Sequence, residues 1–221
     1  MKIYVKTLLK AVMLTLLGLT LVACGKSNIA PDAILGGPSQ NGVVVLSIDY
    51  PRGQTGPFIL RFKNIESGAF GATEVIKAGA STTWEMALKK YDFKADDSYG
   101  ELKVVAFEPG IYKLVSWTVG TVEPNDVQDY RFHVEGGKIT YLGNAFFKQK
   151  NIFSRSEANN PLAITVHTDK SERDIKALSE KYPNLDLNHL TSLAPKNAEN
   201  GFFKPEQDLE ITIPVINAIA N

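Results

Sequence analysis

Apolar residues recurring at every second position, in short runs cut by Pro and Gly, constrain this chain more than any other feature. Val44, Leu46, Ile48 and Tyr50 alternate with Val43, Val45, Ser47 and Asp49. Phe58, Leu60 and Phe62 alternate with Ile59, Arg61 and Lys63. Leu102, Val104 and Ala106 lead through Glu108-Pro109-Gly110 into Tyr112 and Leu114. Tyr130, Phe132 and Val134 run into Gly136-Gly137, and Ile139 and Tyr141 follow. Leu162, Ile164 and Val166 form another run, and Leu209, Ile211 and Ile213 a last one. Helical crossovers between most of these runs are missing, which argues against a parallel α/β sheet. The expectation is a mainly β domain over residues 42–221, an antiparallel β-sandwich or open barrel.

One helix is marked near residues 170–182. Asp169 stands as its cap with Glu172 three residues later, and Ile175, Leu178 and Tyr182 form an apolar stripe before Pro183. Residues 82–91 fit two patterns: Trp84, Met86 and Leu88 alternate as in a strand, while Trp84, Leu88 and Tyr91 would share a helix face. The strand is the preferred reading. Leu185, Leu187 and Leu190 suggest an irregular packed segment, and Ala194 to Gln207 a polar surface loop before the final strand.

Composition excludes several classes. With 221 residues, 44% hydrophobic, the chain is neither disordered, collagen-like nor a multi-span membrane protein. Its formal charge is zero, but residues 1–23 hold Lys2, Lys6 and Lys10 and no acid. Without them 21 basic residues face 24 acidic ones, a net −3 that offers nucleic acid no broad attraction. After the basic start comes an uncharged run from Ala11 to Ala23. As a helix it would span about 20 Å, short of the roughly 30 Å hydrocarbon core. Residues 1–23 therefore read as a signal peptide.

Leu21-Val22-Ala23-Cys24-Gly25 resembles the lipobox of bacterial lipoproteins, and Cys24 is the one cysteine in the chain. The resemblance implies cleavage between Ala23 and Cys24, a diacylglycerol on the Cys24 thiol, and an acyl chain such as palmitate on the new amine. It also implies handling by the lipoprotein processing and sorting machinery. Gly25, where Asp would signal retention, resembles the default for outer-membrane delivery in two-membrane cells. The alternative is an incidental thiol beyond an ordinary signal peptide. Residues 24–41, ending in KSNIAPDAILGGPSQN, read as a lipidated flexible tether.

The stretches FEPGIYKLVSW (107–117) and FHVEGGKITYLGNAFF (132–147) resemble transthyretin-like or carboxypeptidase-regulatory-like sandwiches. That resemblance implies an immunoglobulin/transthyretin-like fold. Pro109-Gly110 would make a turn from which Tyr112 re-enters the core, its hydroxyl bonded near the corner. Gly136-Gly137 would be a tight hairpin with Ile139 and Tyr141 inward. Such sandwiches host many unrelated roles.

Candidate chemistry is sparse. His133, His167 and His189 are the only histidines, without metal-ligand spacing, and His133 and His167 fall on polar registers that read as solvated. Asp92, Asp96, Asp97 and Glu101 form the densest acidic cluster; its spacing departs from an EF-hand and reads as a solvated loop. No GxSxG is present, and Gly68 and Gly71 lack the lysine of a P-loop, so they read as turn residues. Phe146, Phe147, Lys148, Lys150, Phe153 and Arg155 could face a membrane or glycan, or form a strand end entering a loop.

No catalytic or metal site is expected, and no cofactor beyond the covalent lipid on Cys24. The expected role is a non-catalytic binding or assembly module of the cell envelope, anchored to the outer membrane through Cys24, with an envelope protein as partner. The alternatives are an envelope enzyme acting on glycan, peptide or lipid, or a carrier of a small ligand or metal.

Overall fold

The computed structural model describes residues 26–35, 40–68, 71–120, 129–149, 163–196 and 199–200. In chain order its elements are β1 (Gly42–Pro51), β2 (Phe58–Asn64), β3 (Thr73–Ala78), α1 (Thr83–Leu88), β4 (Phe93–Lys94), β5 (Ser98–Phe107), β6 (Gly110–Val119), β7 (Arg131–Val134), β8 (Ile139–Gln149), β9 (Ala163–Thr168), α2 (Ser171–Lys181), a 3-10 turn (Leu187–His189), β10 (Leu190–Ser192) and β11 (Glu199–Asn200). The protein is mainly β, with two sheets and few helices.

A seven-stranded sheet runs β11-β9-β8-β1-β5-β4, with β10 also on β8; a four-stranded sheet runs β3-β2-β6-β7. Val44, Leu46, Ile48 and Tyr50 of β1 meet Phe58, Leu60, Phe62, Tyr112, Leu114 and Phe132 of the smaller sheet in one buried core. The expectation of purely antiparallel pairing is corrected: β1 and β10 both pair parallel with β8. The reason lies at Gly136-Gly137. Expected as a hairpin, this turn instead carries the chain from β7, on β6, to β8, on β1, so its two strands belong to different sheets. Ile139 and Tyr141 accordingly pack on the outer face of the large sheet with Val43, Val45, Leu102 and Val104, away from the inter-sheet core.

The β5–β6 corner follows its expectation. Tyr112 is fully buried, and its hydroxyl donates to the Glu108 carbonyl at 3.0 Å, bracing the turn that changes sheets. A bulge sits in β8: Tyr141 faces Val45 and Asn144 faces Ser47, so β8 spends one residue more than β1. Gly143 adopts φ 93° there, and a Cβ on it would lie 2.8 Å from His167 Nε2. The bulge flips the alternation, which is why Tyr141 faces outward while Ala145 and Phe147 enter the inter-sheet core.

Residues 83–88 are helical, correcting the preference for a strand. Thr82 accepts from Glu85 N at 3.1 Å while Glu85 Oε2 accepts from Ser81 N at 2.7 Å, a reciprocal cap that starts α1. The expected helix is α2, which lays Leu178, with Tyr182 just beyond, over the outer face of the large sheet. Asp169 accepts from Ser171 N at its start.

Part of the stretch read as a tether lies against the body. Lys26 N donates to Val75 O at 2.6 Å, Ile29 N donates to Val104 O at 2.8 Å, and the Asn28 amide donates to Leu102 O and accepts from Val104 N. Ile29 and Leu35 join the outer core under α2. Residues 1–23, Ala23, Cys24 and the strand expected at 209–213 lie outside the described residues.

Replacing Gly143 with Ala forces a Cβ into the positive-φ bulge beside the buried His167. The expected loss is roughly 2 kcal/mol, read as a lower urea midpoint at unchanged slope; an unshifted midpoint would mean that the bulge relaxes freely.

Candidate functional site

The densest buried polar constellation lies where α2 crosses the large sheet. Asp174 is fully buried and accepts from Ser47 Oγ at 2.5 Å, Tyr141 OH at 2.7 Å and Arg173 Nε at 2.8 Å. Arg173 also reaches Asp49 Oδ2 at 2.8 Å and Ser47 Oγ at 2.9 Å, and its guanidinium stacks 3.8 Å over the Phe93 ring. The Asn144 amide completes the shell of Ser47 at 2.8 Å. Burial pushes the Asp49 carboxyl above its usual range despite the neighbouring Arg173. Burial, reinforced by Asp174, also raises the Tyr141 phenol. Ser47 Oγ donates to a carboxylate and accepts from an amide and a guanidinium, and no histidine is among its partners. Such a shell locks α2 to the sheet, with the hydroxyl, both carboxylates and the guanidinium bonded to one another.

A second constellation surrounds Glu101, which sits buried on β5 and not in a solvated loop as expected. Tyr50 OH and Gly79 N both donate to its Oε1 at 2.7 Å. Lys89 lies 2.8 Å from Oε1 and Lys103 2.8 Å from Oε2. Burial alone would raise its pKa, but Lys103, Lys89 and Tyr50 together hold the carboxyl below its usual value. The cluster therefore fastens β1, β3, β5 and the end of α1. Asp92, exposed, pairs with Lys181, and Asp96 and Asp97 are exposed as expected.

The three histidines do not converge. His133 is exposed on β7, and His189 is exposed beside Asp186. His167, expected as solvated, is buried: its Nε2 sits 2.6 Å from Leu142 O and its ring edges against Tyr130. Its strand puts Thr165 and His167, opposite Phe147 and Ala145, on the core side, so the polar register faces inward. Burial, outweighing the Leu142 bond and Asp169, drops its pKa to about 4. Among the described residues no group of three or more His, Cys, Asp or Glu is placed to hold a metal ion. Gly68 carries φ 68° in a turn closed by Gly71 N to Gly68 O. Of the aromatic-basic stretch, Phe147 is buried and Lys148 exposed, while Lys150, Phe153 and Arg155 lie outside the described residues.

Two surface features escaped the sequence reading. Trp84 and Leu88, 73% and 67% exposed, stand one helical turn apart on α1, none of whose residues is buried. The outer face of the four-stranded sheet carries Arg61 and Lys63 on β2, Lys77 on β3, Lys113 on β6 and Arg131 on β7. No outward position of these strands holds an acid; Asp129, just before β7, bridges Lys113 and Arg131. The signal was present in the alternation, because each of these cations occupies the polar register. Only the sheet order brings them onto one surface.

Neither a family model, nor a curated protein, nor a solved structure matches this chain.

Two outcomes follow. A His whose folded pKa lies near 4 but whose unfolded value is about 6.5 binds fewer protons when folded. Its contribution is intact above pH 6.5 and is lost as pH falls towards 4, about 3 kcal/mol in all. Urea midpoints of the parent should fall through that window relative to His167→Gln; parallel curves would refute the assignment. Asp174→Ala should cost roughly 3 kcal/mol, at the low end for a broken buried pair because Arg173 keeps Asp49 and some solvent. Calorimetric unfolding measures it, and a loss below 1 kcal/mol would show that the shell adapts without Asp174.

Proposed function

We propose that this chain is a lipoprotein of the bacterial cell envelope, held in the outer membrane by diacylglycerol on Cys24 and acting as a non-catalytic binding or assembly module. The observation that carries the reading is the placement of the chain's one cysteine at the end of Leu21-Val22-Ala23-Cys24-Gly25, behind a basic start and an apolar run. Several acyl chains on one residue hold far more firmly than a single chain, each buried methylene adding about 0.8 kcal/mol. The body belongs, in this reading, to the transthyretin-like or carboxypeptidase-regulatory-like sandwiches. The Tyr112 hydroxyl on Glu108 O supports that assignment.

Binding is favoured over catalysis by where the polar groups go. Ser47, Asp49, Arg173 and Asp174 bond to one another, and Glu101 is taken up by Tyr50, Lys89 and Lys103. Among the described residues the large apolar side chains most exposed are Ile34, Trp84 and Leu88, and the last two stand together on α1. A rigid aromatic beside an aliphatic side chain is the kind of anchor that protein interfaces use. Membrane attachment raises the effective concentration of a membrane-bound partner, so a modest contact suffices.

The test is crosslinking in living cells followed by mass spectrometry, with Cys24→Ala and Trp84→Ala beside the parent. Cys24→Ala should escape lipidation and be released by a carbonate wash; retention equal to the parent contradicts the anchor. Trp84→Ala should keep stability within about 0.5 kcal/mol, the side chain being exposed, and lose a discrete crosslinked partner. A partner captured equally well without Trp84 would move the contact elsewhere.

A further inference from the structure

A groove beside the docked N-terminal segment has the chemistry of the lipid proposed for Cys24. We infer that one acyl chain of the lipidated Cys24 folds back and lies in this groove, lined by Ile29, Ala33, Ile34, Leu35, Val43 and Ala106. The inference rests on the lipidation of Cys24 proposed above and gives that lipid a seat on the protein.

The first observation is the groove itself. Val43 and Ala106, partners across the β1–β5 ladder, supply its sheet side, and the N-terminal segment supplies the other. Its volume is about 430 Å³. That falls within the roughly 300–1,000 Å³ of sites that hold small ligands, room for one acyl chain rather than several. No charged residue lines it, and its only polar lining residues are Gln40 and Asn41, so it suits a hydrocarbon chain and not a headgroup. Ile34, part of that lining, is 76% exposed, more than any other large apolar side chain among the described residues. An acyl chain laid against Ile34 takes that surface out of water.

The second observation is where the lipid is attached. Lys26 is pinned: its amide donates to Val75 O, and its ammonium donates at 2.6 Å to the carbonyl of Ala106, a residue of the groove. Cys24 precedes Lys26 by two residues, which span at most about 7 Å. An acyl chain is about 15 Å long, half of the roughly 30 Å hydrocarbon core that two of them span. With one lysine side chain between Lys26 and the Ala106 carbonyl, the groove lies within reach of a chain attached at Cys24. The move is favourable, because the chain exchanges one apolar surrounding for another while the groove and Ile34 lose their contact with water. The other acyl chains of Cys24 stay in the bilayer, where two hold far better than one.

The test uses the full chain matured in a bacterial host fed a fatty acid that carries a diazirine near its end. Membranes are irradiated and digested with trypsin, and adducts between the lipidated N-terminal peptide and the rest of the chain are read by mass spectrometry. Adducts should concentrate on Ile34, Leu35 and Val43, several-fold above those on α2. Ile34→Asp should reduce them several-fold; Ile34 is exposed, so the variant keeps the fold. Adducts confined to phospholipid, or spread alike over α2 and the groove, with the photoreactive lipid on Cys24, overturn the seat and leave the anchor standing. Adducts at Leu35 and Val43 that Ile34→Asp leaves unchanged overturn it as well. An N-terminal peptide with unmodified Cys24 overturns the anchor, and the seat with it.

Discussion

Burial of β1 on both faces is the constraint from which the rest of the structure follows. Val44, Leu46, Ile48 and Tyr50 point one way and Val43 and Val45 the other, and all are shielded from water. A sheet with such a central strand needs cover on two sides, since each exposed aliphatic side chain would forfeit about 2 kcal/mol of burial. The four-stranded sheet covers one side with its aromatic residues. The other side is covered by Leu178, Tyr182 and Leu185 and by Ile29 and Leu35 from the N-terminal segment. Residues 26–35 are thus part of the wall of the outer core.

That arrangement leaves the two outer surfaces unequal. The helical side is pinned by polar groups that the sheet turns outward: beyond the valines of β1, the same register delivers Ser47 and Asp49 to Arg173 and Asp174. Glu101 does similar work at the β3–β5 edge, where Tyr50, Lys89 and Gly79 meet it. The strands of the opposite face place only uncharged or basic residues outward, with Asp129 bridging Lys113 and Arg131.

Much of the fold was legible in the sequence because alternation reports strands directly. Tyr112 and its Glu108 corner, α2 with its Leu178–Tyr182 stripe, and strands β1, β2 and β5 to β9 were readable from local pattern, whereas β3 and the two-residue β4 were not. Pairing was not. A Gly-Gly turn does not say whether its strands share a sheet, and Gly136-Gly137 joins two sheets. The bulge at Gly143 reversed the facing of β8 without leaving a period to read. His167 looked solvated because its polar register was taken as the outer one, whereas β9 turns that register inward against Ala145 and Phe147. The helix at α1 was visible in Thr82 and Glu85, but its apolar residues also alternate and none of them is buried. Docking of residues 26–35 rests on backbone bonds of Lys26 and Ile29, on the Lys26 and Asn28 side chains, and on Ile29 and Leu35, a set with no period to stand out among Pro and Gly.

The most direct measurement is amide hydrogen exchange of Lys26 and Ile29 in the full chain, compared with Leu114 on β6, whose amide donates to Tyr130 O. If the N-terminal segment is part of the wall, both amides exchange far more slowly than an unstructured peptide and approach Leu114, and Val104, which donates to Asn28, is protected with them. Exchange of Lys26 and Ile29 at the rate of a free peptide, with Leu114 still protected, would contradict the account: the segment would be a loose leash and no part of the outer core.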